Sequence, residues 1–426
     1  MGKIVMDENT DNSKTEGADR LLQLRNKLSL GAFILIIGAF CLLSLLAPKP
    51  TVLVSERRPP AELPKPSLSS ILNTDFMTDF EKYAADNFTF REPLRTLRAV
   101  TLLDVLRLMD KDGLYRGAAG AGRIQALDAD AVQDWATLME QLQADLASQT
   151  DGLNFYYAVI PDKSIYDNRD LPGYDATELA RLLNDRLPGV TAIDLTNALV
   201  ATDYYRTDLH WDQAQLGQRS TDVVDVLAQA LGCQERLSKD YTILEAGSFT
   251  GVYPGQLAIS MPPDQLRYLT SPALEQITAH YLDPQSGQFV SGPIYDLQAA
   301  SGRDGYDLFL RGAQPVVILE NPLSETDRDL FIFRDSFSSS LAPLLAPAYR
   351  RVILIDLRYI DYRVLPEYVS YTANADVLFL YGSQILNDPD ILLIQVKEPT
   401  KAPDILMNST NELVARKASR RVKQAS

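Results

Sequence analysis

The pattern of apolar positions separates an N-terminal anchor from a large folded part. Residues 28–47 read LSLGAFILIIGAFCLLSLLA, a run without a charged side chain. A helix of this length matches the roughly 30 Å hydrocarbon thickness of a bilayer, so the pattern predicts a transmembrane helix. A cleaved signal peptide is the alternative, but its apolar region is usually only about 7–15 residues long, and the sequence after Ala47 is a poor cleavage site.

Basic residues near the ends of this helix predict its orientation. Arg25 and Lys27 directly precede the apolar run, whereas Lys49 is the only basic residue on the other side before Arg57. The cytoplasmic end of a transmembrane helix carries the excess of Lys and Arg. We therefore expect residues 1–27 to form a cytoplasmic tail and the main domain to lie outside, as in a single-pass protein of the cell membrane.

Beyond the helix, the pattern changes twice. Residues 48–70 are rich in proline, which predicts an extended linker. From residue 71 onward, apolar residues recur at three- and four-residue steps with an interruption near 88–93, which predicts two helices flanking a turn. We expect one large domain over 71–395 and a flexible C-terminal tail over 396–426.

The large domain alternates between helical and extended patterns. Apolar spacing predicts helices at 130–148, 176–187 and 213–231, and strands at 153–161 and 190–195. This alternation is typical of an α/β fold with a central, mostly parallel sheet. Residues 233–320 differ, because short strand patterns and turn residues follow one another there, and we expect a β-rich insertion.

The composition narrows the classes of partner. The chain has 426 residues and a net charge of −15. Nucleic acid is excluded as a partner, because phosphate binding needs clustered Lys and Arg. The only two cysteines are Cys41, inside the predicted helix, and Cys233, so no disulfide can form within the outer part. Cys233 follows an apolar helical pattern and is expected to be a buried, unreactive side chain.

The segment DLFIFRDSFSSSLAPLLA, residues 329–346, contains a candidate nucleophile. Its residues 330–333 predict a buried strand and 341–346 the start of a helix. Ser336 stands between them, at the carboxyl end of the predicted sheet, where open α/β folds bind their ligands and helix N–H groups can receive an oxyanion. The alternative is that Ser336 or Ser338 only caps the helix.

The segment YYRTDLHWDQ, residues 204–213, contains one of the two histidines of the chain. Residues two apart in an extended segment point to the same side, so Asp208 can hold one imidazole nitrogen of His210 while the other faces a nucleophile. An Asp-x-His pair also arises by chance and could simply fix a loop. His280, the other histidine, has the surroundings of an ordinary strand or loop residue.

Taken in order, the segments FEKYAADNFTFREPL, AVIPDKSIY, YYRTDLHWD, YDLFLRG and FRDSFSSSLAPLLAPAYRRVILIDLRY resemble the DHHW family of bacterial envelope proteins. That family is related to the SGNH-like O-acetyltransferases that acetylate alginate and similar exopolysaccharides. The resemblance covers residues 71–382. It implies an SGNH-hydrolase-like three-layer domain and a Ser-His-Asp triad formed by Ser336, His210 and Asp208.

The chain departs from the family pattern at two positions. Leu209 replaces the first histidine of the Asp-His-His-Trp motif and is expected to point away from the side of Asp208 and His210. Arg334 stands where the acetyltransferases have glycine, and it could narrow the site or clamp the substrate. Backbone N–H groups of Ser336 and Phe337 are expected to bind the oxyanion.

Further polar and aromatic residues are candidates for substrate binding. Lys163 follows a strand and could contact substrate, or it could be a solvated loop lysine. Arg358 and Tyr359 match the family and could line the site or serve in packing and a salt bridge. Trp211 and Tyr204 could stack on a sugar ring, or they could form the apolar wall of the loop. No segment has metal-ligand spacing or a phosphate-binding loop, so no metal and no cofactor is indicated.

The resemblance implies acyl transfer through Ser336, with acetyl as the acyl group and a cell-envelope or exopolysaccharide sugar as the substrate. Water as the acceptor would make the protein an esterase, and a sugar hydroxyl would make it an O-acetyltransferase. An outside enzyme cannot reach cytoplasmic acyl donors, so a multi-span membrane protein is an expected acyl-donor partner. The alternative function is that of a catalytically degenerate envelope module that binds glycan or protein.

Overall fold

The computed structural model describes residues 9–167, 169, 171, 173–217, 222–389 and 391, and the predicted tail at 396–426 lies outside them. The chain separates into two compact units, Met1–Arg98 and Ala99–Ser426. Residues 71–98, which the sequence pattern assigns to the large domain, therefore belong to the unit that contains the N-terminal helix.

The first unit is helical. Its elements are α1 (Asn9–Leu46), α2 (Leu68–Leu72), α3 (Asp75–Asp86) and α4 (Arg91–Val100), of which the last ends just beyond the division. Within the described residues, α1 is the one helix long and apolar enough to cross a membrane, over Leu22–Leu46. The break between α3 and α4 confirms the predicted turn near residue 88.

Residues 53–61, which lie within the linker expected at 48–70, fold back against the junction of α3 and α4. Arg58 forms two hydrogen bonds of 2.6 Å with the carboxylate of Asp86, which also accepts the N–H of Ala61 at 2.9 Å. Glu56 pairs with Arg91 at 2.5 Å. These ion pairs are partly buried, and paired charges at such a site hold a chain segment because an unpaired one would be costly.

The second unit is mixed α/β. Its helices are α5 (Ala129–Gln149), α6 (Ala176–Arg186), α7 (Gln213–Leu216), α8 (Val223–Ala230), α9 (Val252–Leu257), α10 (Leu297–Ala300), α11 (Ser338–Leu345) and α12 (Ser383–Leu386). Its strands are β1 (Leu114–Gly117), β2 (Gly120–Arg123), β3 (Asn154–Ile160), β4 (Thr191–Ile193), β5 (Thr242–Phe249), β6 (Asp264–Thr270), β7 (Thr278–Leu282), β8 (Phe289–Gly292), β9 (Val316–Glu320), β10 (Asp329–Arg334), β11 (Arg351–Ile355) and β12 (Asp376–Gly382).

Eight of these strands form one sheet in the order β4-β3-β12-β10-β11-β9-β7-β8. The pairings from β4 to β11 are parallel, and those from β11 to β8 are antiparallel. The segment expected to be a β-rich insertion supplies β7, β8 and β9 to this sheet, and only β5 and β6 form a separate hairpin. Three of the five strands in that segment are therefore part of the main sheet.

Alternation along β10 shows how the sheet is covered on both faces. Leu330 and Ile332 belong to one apolar cluster, with residues of α8 and α11. Phe331 and Phe333 belong to the other, with residues of α5 and α6. A parallel strand buried on both faces has to be apolar throughout, which explains why residues 330–333 carry no polar side chain.

The predicted helix at 213–231 is interrupted, forming α7 and α8. Gly217 ends α7, and a side chain at this position would collide with the ring of Tyr241. Asp222 then starts a new helix, because its carboxylate accepts the N–H groups of Val224 and Asp225. Cys233 is buried in the core, as expected.

Candidate active site

Ser336 lies at the reversal point of the sheet. The chain passes from β10 to β11 on one side and later to β12 on the other, and open α/β folds bind their ligands at the carboxyl ends of the strands around such a point. Ser336 comes two residues after β10 and two residues before α11. It is half-buried, whereas Asp335 and Phe337 beside it are buried, so the turn exposes the serine.

Asp335 fixes the turn that carries this serine. One of its carboxylate oxygens accepts the N–H of Phe337 at 3.0 Å, and the other accepts the N–H of Gly382 at the end of β12 at 2.6 Å. Burial raises the pKa of Asp335, although the nearby charge of Arg358 opposes this. Since the Phe337 N–H is occupied, only the Ser336 N–H, which donates to no group within the described residues, is available here for an oxyanion.

The Asp208–His210 pair lies in a tight loop. Tyr204 and Trp211 form an antiparallel bridge at the base of the loop, and the N–H of Tyr205 donates to the carbonyl of His210 at 3.0 Å. Asp208 Oδ1 accepts both the backbone N–H of His210 at 3.1 Å and its ring Nδ1 at 2.6 Å. The pair thus meets through an aspartate turn and not through the extended segment that we predicted.

The second ring nitrogen of His210 contacts the serine. His210 Nε2 lies 2.7 Å from Ser336 Oγ, so a continuous hydrogen-bonded chain joins Asp208, His210 and Ser336. This is the geometry by which a Ser-His-Asp triad is recognised, whatever the order of its members along the chain. The side chain of Asp208 is only 2% exposed, so water has almost no access to the carboxylate end of this series of hydrogen bonds.

The electrostatics of Asp208 follow from this environment. Burial acts to raise the pKa of its carboxyl group, but the charge of protonated His210 and the hydrogen bonds from His210 and Val252 outweigh that effect. The pKa of Asp208 is therefore lowered. A carboxylate that stays ionised can stabilise the imidazolium that forms when a base accepts a proton.

Three contacts outside the motif hold the loop. Asp264 accepts the N–H groups of Arg206 and Thr207 at 2.9 and 2.8 Å. The N–H of Val252, at the start of α9, donates to Asp208 Oδ2 at 3.0 Å. Gly251 lies so close that a side chain at this position would collide with Asp208.

Lys163 is a further support and is buried, so it is not the solvated loop lysine that was one of our expectations. Its ammonium donates to the carbonyls of Tyr205 and Asp208 at 2.9 and 2.8 Å and lies 4.8 Å from the ring centre of Tyr253. Burial lowers the pKa of Lys163 to about 8, against the opposing attraction of nearby carboxylates. Its contacts indicate that it holds the loop that carries Asp208.

Tyr306 positions the imidazole from its flat side. The rings of Tyr306 and His210 are stacked, with centroids 3.8 Å apart and planes 9° apart. The Tyr306 hydroxyl and Trp211 Nε1 both lie 2.8 Å from the hydroxyl of Ser340 in α11. This shared serine links the loop of His210 to the helix that follows Ser336.

Arg334 neither narrows the site nor clamps substrate. Its side chain is fully buried, with Nη1 donating to the carbonyl of Asp335 at 3.2 Å and to Ser339 Oγ at 3.0 Å. Nη1 also lies 3.9 Å from Asp356, which forms two hydrogen bonds with Arg358 at 2.8 and 2.6 Å. Arg358 therefore serves in a salt bridge, one of the two roles expected for it.

The remaining aromatic candidates also form part of the interior. Trp211 and Tyr204 are 0% and 3% exposed, so they form the wall of the loop and no sugar-stacking platform. Phe337 contacts Trp211 edge to face, and Tyr359 lies beside the guanidinium of Arg358. Leu209 packs against apolar clusters, as expected for a side chain directed away from the triad.

Comparison with solved structures shows which known proteins this chain is similar to. A DHHW family protein from Eubacterium siraeum DSM 15702 matches 66% of this chain and 95% of its own, with a TM-score of 0.53 and 18% identity. Bacillus cereus PatB1, in a structure with a sulfonyl adduct, matches 65% and 96%, with a TM-score of 0.51 and 20% identity. The O-acetyltransferase domain of Pseudomonas putida AlgJ is more distant, with a TM-score of 0.39 and 14% identity over 70% and 99%.

The chain has the fold of the DHHW family protein. At these identities the likeness concerns the fold alone. It agrees with the resemblance stated from the sequence segments. No family model and no curated protein sequence matches the chain.

Several supporting residues could not be found from the sequence. Gly251, Asp264 and Tyr306 lie 41 or more positions after His210 in the chain, in a segment where the pattern indicates only strands and turns. Their roles depend on contacts made by the tertiary fold. Within the described residues, no cluster of three or more His, Cys, Asp and Glu side chains is arranged to hold a metal ion.

We predict that Gly251→Ala lowers any Ser336-dependent esterase activity by about 100-fold, because the added methyl group displaces Asp208 and a misplacement of about 1 Å can cost this much. The backbone of Gly251 lies at φ −75°, which alanine adopts freely, so the effect is steric. Hydrolysis of a chromogenic acetyl ester measures it. Gly173→Ala is the matched control, since its new methyl group meets only one atom at 3.9 Å, and equal activity of the two variants would contradict the role of Gly251.

We predict that Lys163 makes stability depend on pH between about 8 and 10.5. The folded-state pKa of about 8 lies below the ordinary value of 10.5, so in this window the unfolded chain binds more protons and stability rises with pH. Thermal midpoints of the wild type and Lys163→Met should therefore diverge in favour of the wild type as the pH increases from 8 to 10.5. Parallel pH curves would show that Lys163 does not titrate in this way.

Proposed function

We propose that the protein is a membrane-anchored serine O-acyltransferase or esterase that acts outside the cytoplasm on acetyl groups of cell-envelope or exopolysaccharide sugars. One observation carries this proposal: the hydrogen-bonded chain from Asp208 through His210 to Ser336, with separations of 2.6 and 2.7 Å. A histidine whose two ring nitrogens are engaged in this way can act as a base toward Ser336, the nucleophile, while the Asp208 carboxylate orients its ring.

The first half of the reaction forms an acyl-enzyme. His210 Nε2 takes the proton of Ser336 Oγ as this oxygen bonds to the acyl carbonyl carbon. The carbonyl oxygen becomes an oxyanion, for which the Ser336 N–H is available. When the bond to the leaving oxygen breaks, that oxygen takes the proton from His210, and Ser336 carries the acyl group.

The second half repeats these steps with a new acceptor. A hydroxyl group of water or of a sugar loses its proton to His210 and bonds to the acyl carbon. Ser336 Oγ then leaves and regains a proton from His210. Throughout, the buried Asp208 carboxylate keeps the imidazole in the tautomer and orientation that both halves need.

The choice of acetyl groups and of glycan rests on similarity and on the anchor. The DHHW family resemblance implies relatives that acetylate exopolysaccharides, and helix α1 is suited to hold the domain at the envelope. An enzyme outside the membrane needs an acyl donor that crosses it, so we propose a multi-span membrane protein as the donor partner. Binding of glycan or protein by a catalytically degenerate module is the alternative.

We predict that Ser336→Ala abolishes reaction with a chromogenic acetyl ester and labelling by a fluorophosphonate. Ser338→Ala is the matched control, because Ser338 lies two residues away and its buried hydroxyl has no partner in the described part of the chain. Loss in the first variant and retention in the second supports acyl transfer at Ser336. If the intact protein reacts no faster than Ser336→Ala, the protein is a non-catalytic module.

We predict that His210→Gln lowers the rate of acyl-enzyme formation by a factor on the order of 10³ or more, because the proton of the serine then has no acceptor. His280→Gln is the control, since His280 is the only other histidine and lies on β7, with Ser291 and Glu320 as its contacts. Mass spectrometry of the protein after a brief reaction measures the acetylated fraction. An equal loss in both variants would point to a general effect on the fold.

A further inference from the structure

The residues that connect α3 to α4 contact the N-terminal helix. The ring of Phe40 in α1 stacks on that of Phe88 at 5.6 Å and meets Phe90 edge to face at 6.2 Å. Between these two aromatic residues, the N–H of Thr89 donates to the hydroxyl of Ser44 at 3.0 Å. Residues 88–90, here called the NFTF turn with Asn87, are thus held against α1 by both apolar and polar contacts.

The position of this contact along α1 sets its depth. Phe40 lies six residues before Leu46, where the helix ends, and six residues correspond to about 9 Å along a helix axis. If α1 crosses a bilayer, the NFTF turn cannot remain in bulk water above the membrane surface. It must reach to the level of Phe40, inside the outer leaflet.

Three backbone N–H groups, two in the turn and one just after it, have partners within the protein. The N–H groups of Asn87, Thr89 and Arg91 donate to Tyr83, Ser44 and Phe88 respectively. Backbone groups in the apolar part of a bilayer need partners within the protein, because no water is present to supply them.

An exposed apolar stripe continues from the turn along α4. Phe90, Leu94 and Leu97 follow the spacing of one helix face and are 56%, 40% and 62% exposed. Arg91 and Arg95 point instead to Glu56, with which they form ion pairs of 2.5 and 3.2 Å. The two arginines are therefore directed toward their own unit and the three apolar side chains away from it, the reverse of a helix that covers a soluble core.

We infer that the NFTF turn and the Phe90, Leu94 and Leu97 face of α4 insert into the outer leaflet, as a second membrane contact beside α1. The occupant of this face is the acyl-chain and interfacial layer of a lipid bilayer, because the stripe begins at the residue that touches the transmembrane segment. An interfacial helix binds in this way, with its apolar face buried about 5–10 Å below the headgroups. The inference requires α1 to span the bilayer and is independent of the catalytic proposal.

Depth-dependent fluorescence quenching tests the inference. Full-length protein is reconstituted into phosphatidylcholine and phosphatidylglycerol vesicles, with and without lipids brominated on the acyl chains, and tryptophan is introduced singly by Phe90→Trp, Phe33→Trp or Leu323→Trp. The three sites have similar exposures of 56%, 61% and 69%, but Phe33 lies within α1 and Leu323 in the second unit. The native Trp135 and Trp211 are buried, and the wild type measures their background.

Each outcome decides the matter. We expect bromine to quench Phe90→Trp strongly, as it does Phe33→Trp, and to leave Leu323→Trp near the background. Quenching of Phe90→Trp no greater than that of Leu323→Trp would overturn the inference, and would assign the stripe to a protein partner. Leu97→Trp repeats the test two turns further along α4 in case Phe90→Trp does not fold. Absence of quenching at Phe33→Trp would remove the premise that α1 spans, and the inference with it.

Discussion

The burial of one carboxylate, that of Asp208, organises the candidate active site of this protein. Asp208 is almost completely removed from water, and an ionised carboxylate in such a place is stable only when its oxygens are saturated with donors. Its donors are the backbone and ring N–H groups of His210 and the N–H of Val252. The hairpin β5–β6 and helix α9 are needed because they bring Val252 and Gly251 against the loop that carries Asp208. Asp264 of β6 holds Arg206 and Thr207, the two residues before Asp208.

A second group of charged side chains lies in the interior next to Ser336, and its positive and negative charges are equal in number. Arg334 and Arg358 stand near Asp335 and Asp356, so two positive and two negative groups share one buried region. The carboxylate of Asp335 accepts hydrogen bonds from the backbone N–H groups of Phe337 and Gly382, and these bonds fix the turn. The large side chain of Arg334 thus lies in the interior and takes no part of the surface around Ser336.

The first unit contains α1, the helix that is long and apolar enough to span a bilayer, and the segments that pack beside it. Several of its charged side chains form ion pairs within the unit, as in the bidentate contact of Arg58 with Asp86. Its apolar side chains on α4 are left outward, next to the residues that touch α1. Both features would suit a unit at a membrane surface, where charge is costly unless it is paired and apolar area is stabilised by lipid.

The sequence by itself determined the features that depend on neighbours along the chain. The length of the apolar run at 28–47, the α/β alternation, the buried strand ending before Ser336 and the proximity of Asp208 to His210 are all local properties. The pairing of His210 with Ser336 could be expected only through resemblance, since 126 positions separate the two residues.

Only the tertiary structure decided which side chains surround the site. Burial converted Lys163, Trp211 and Arg334 from candidate substrate contacts into structural supports, because their polar atoms find partners in distant elements. Three strands of the expected insertion joined the main sheet for a similar reason, since the pairing of sheet edges depends on neighbours that the chain pattern does not specify. Gly251 and Tyr306 acquired their roles through contacts across 41 and 96 positions from His210, where no periodicity along the chain could indicate them.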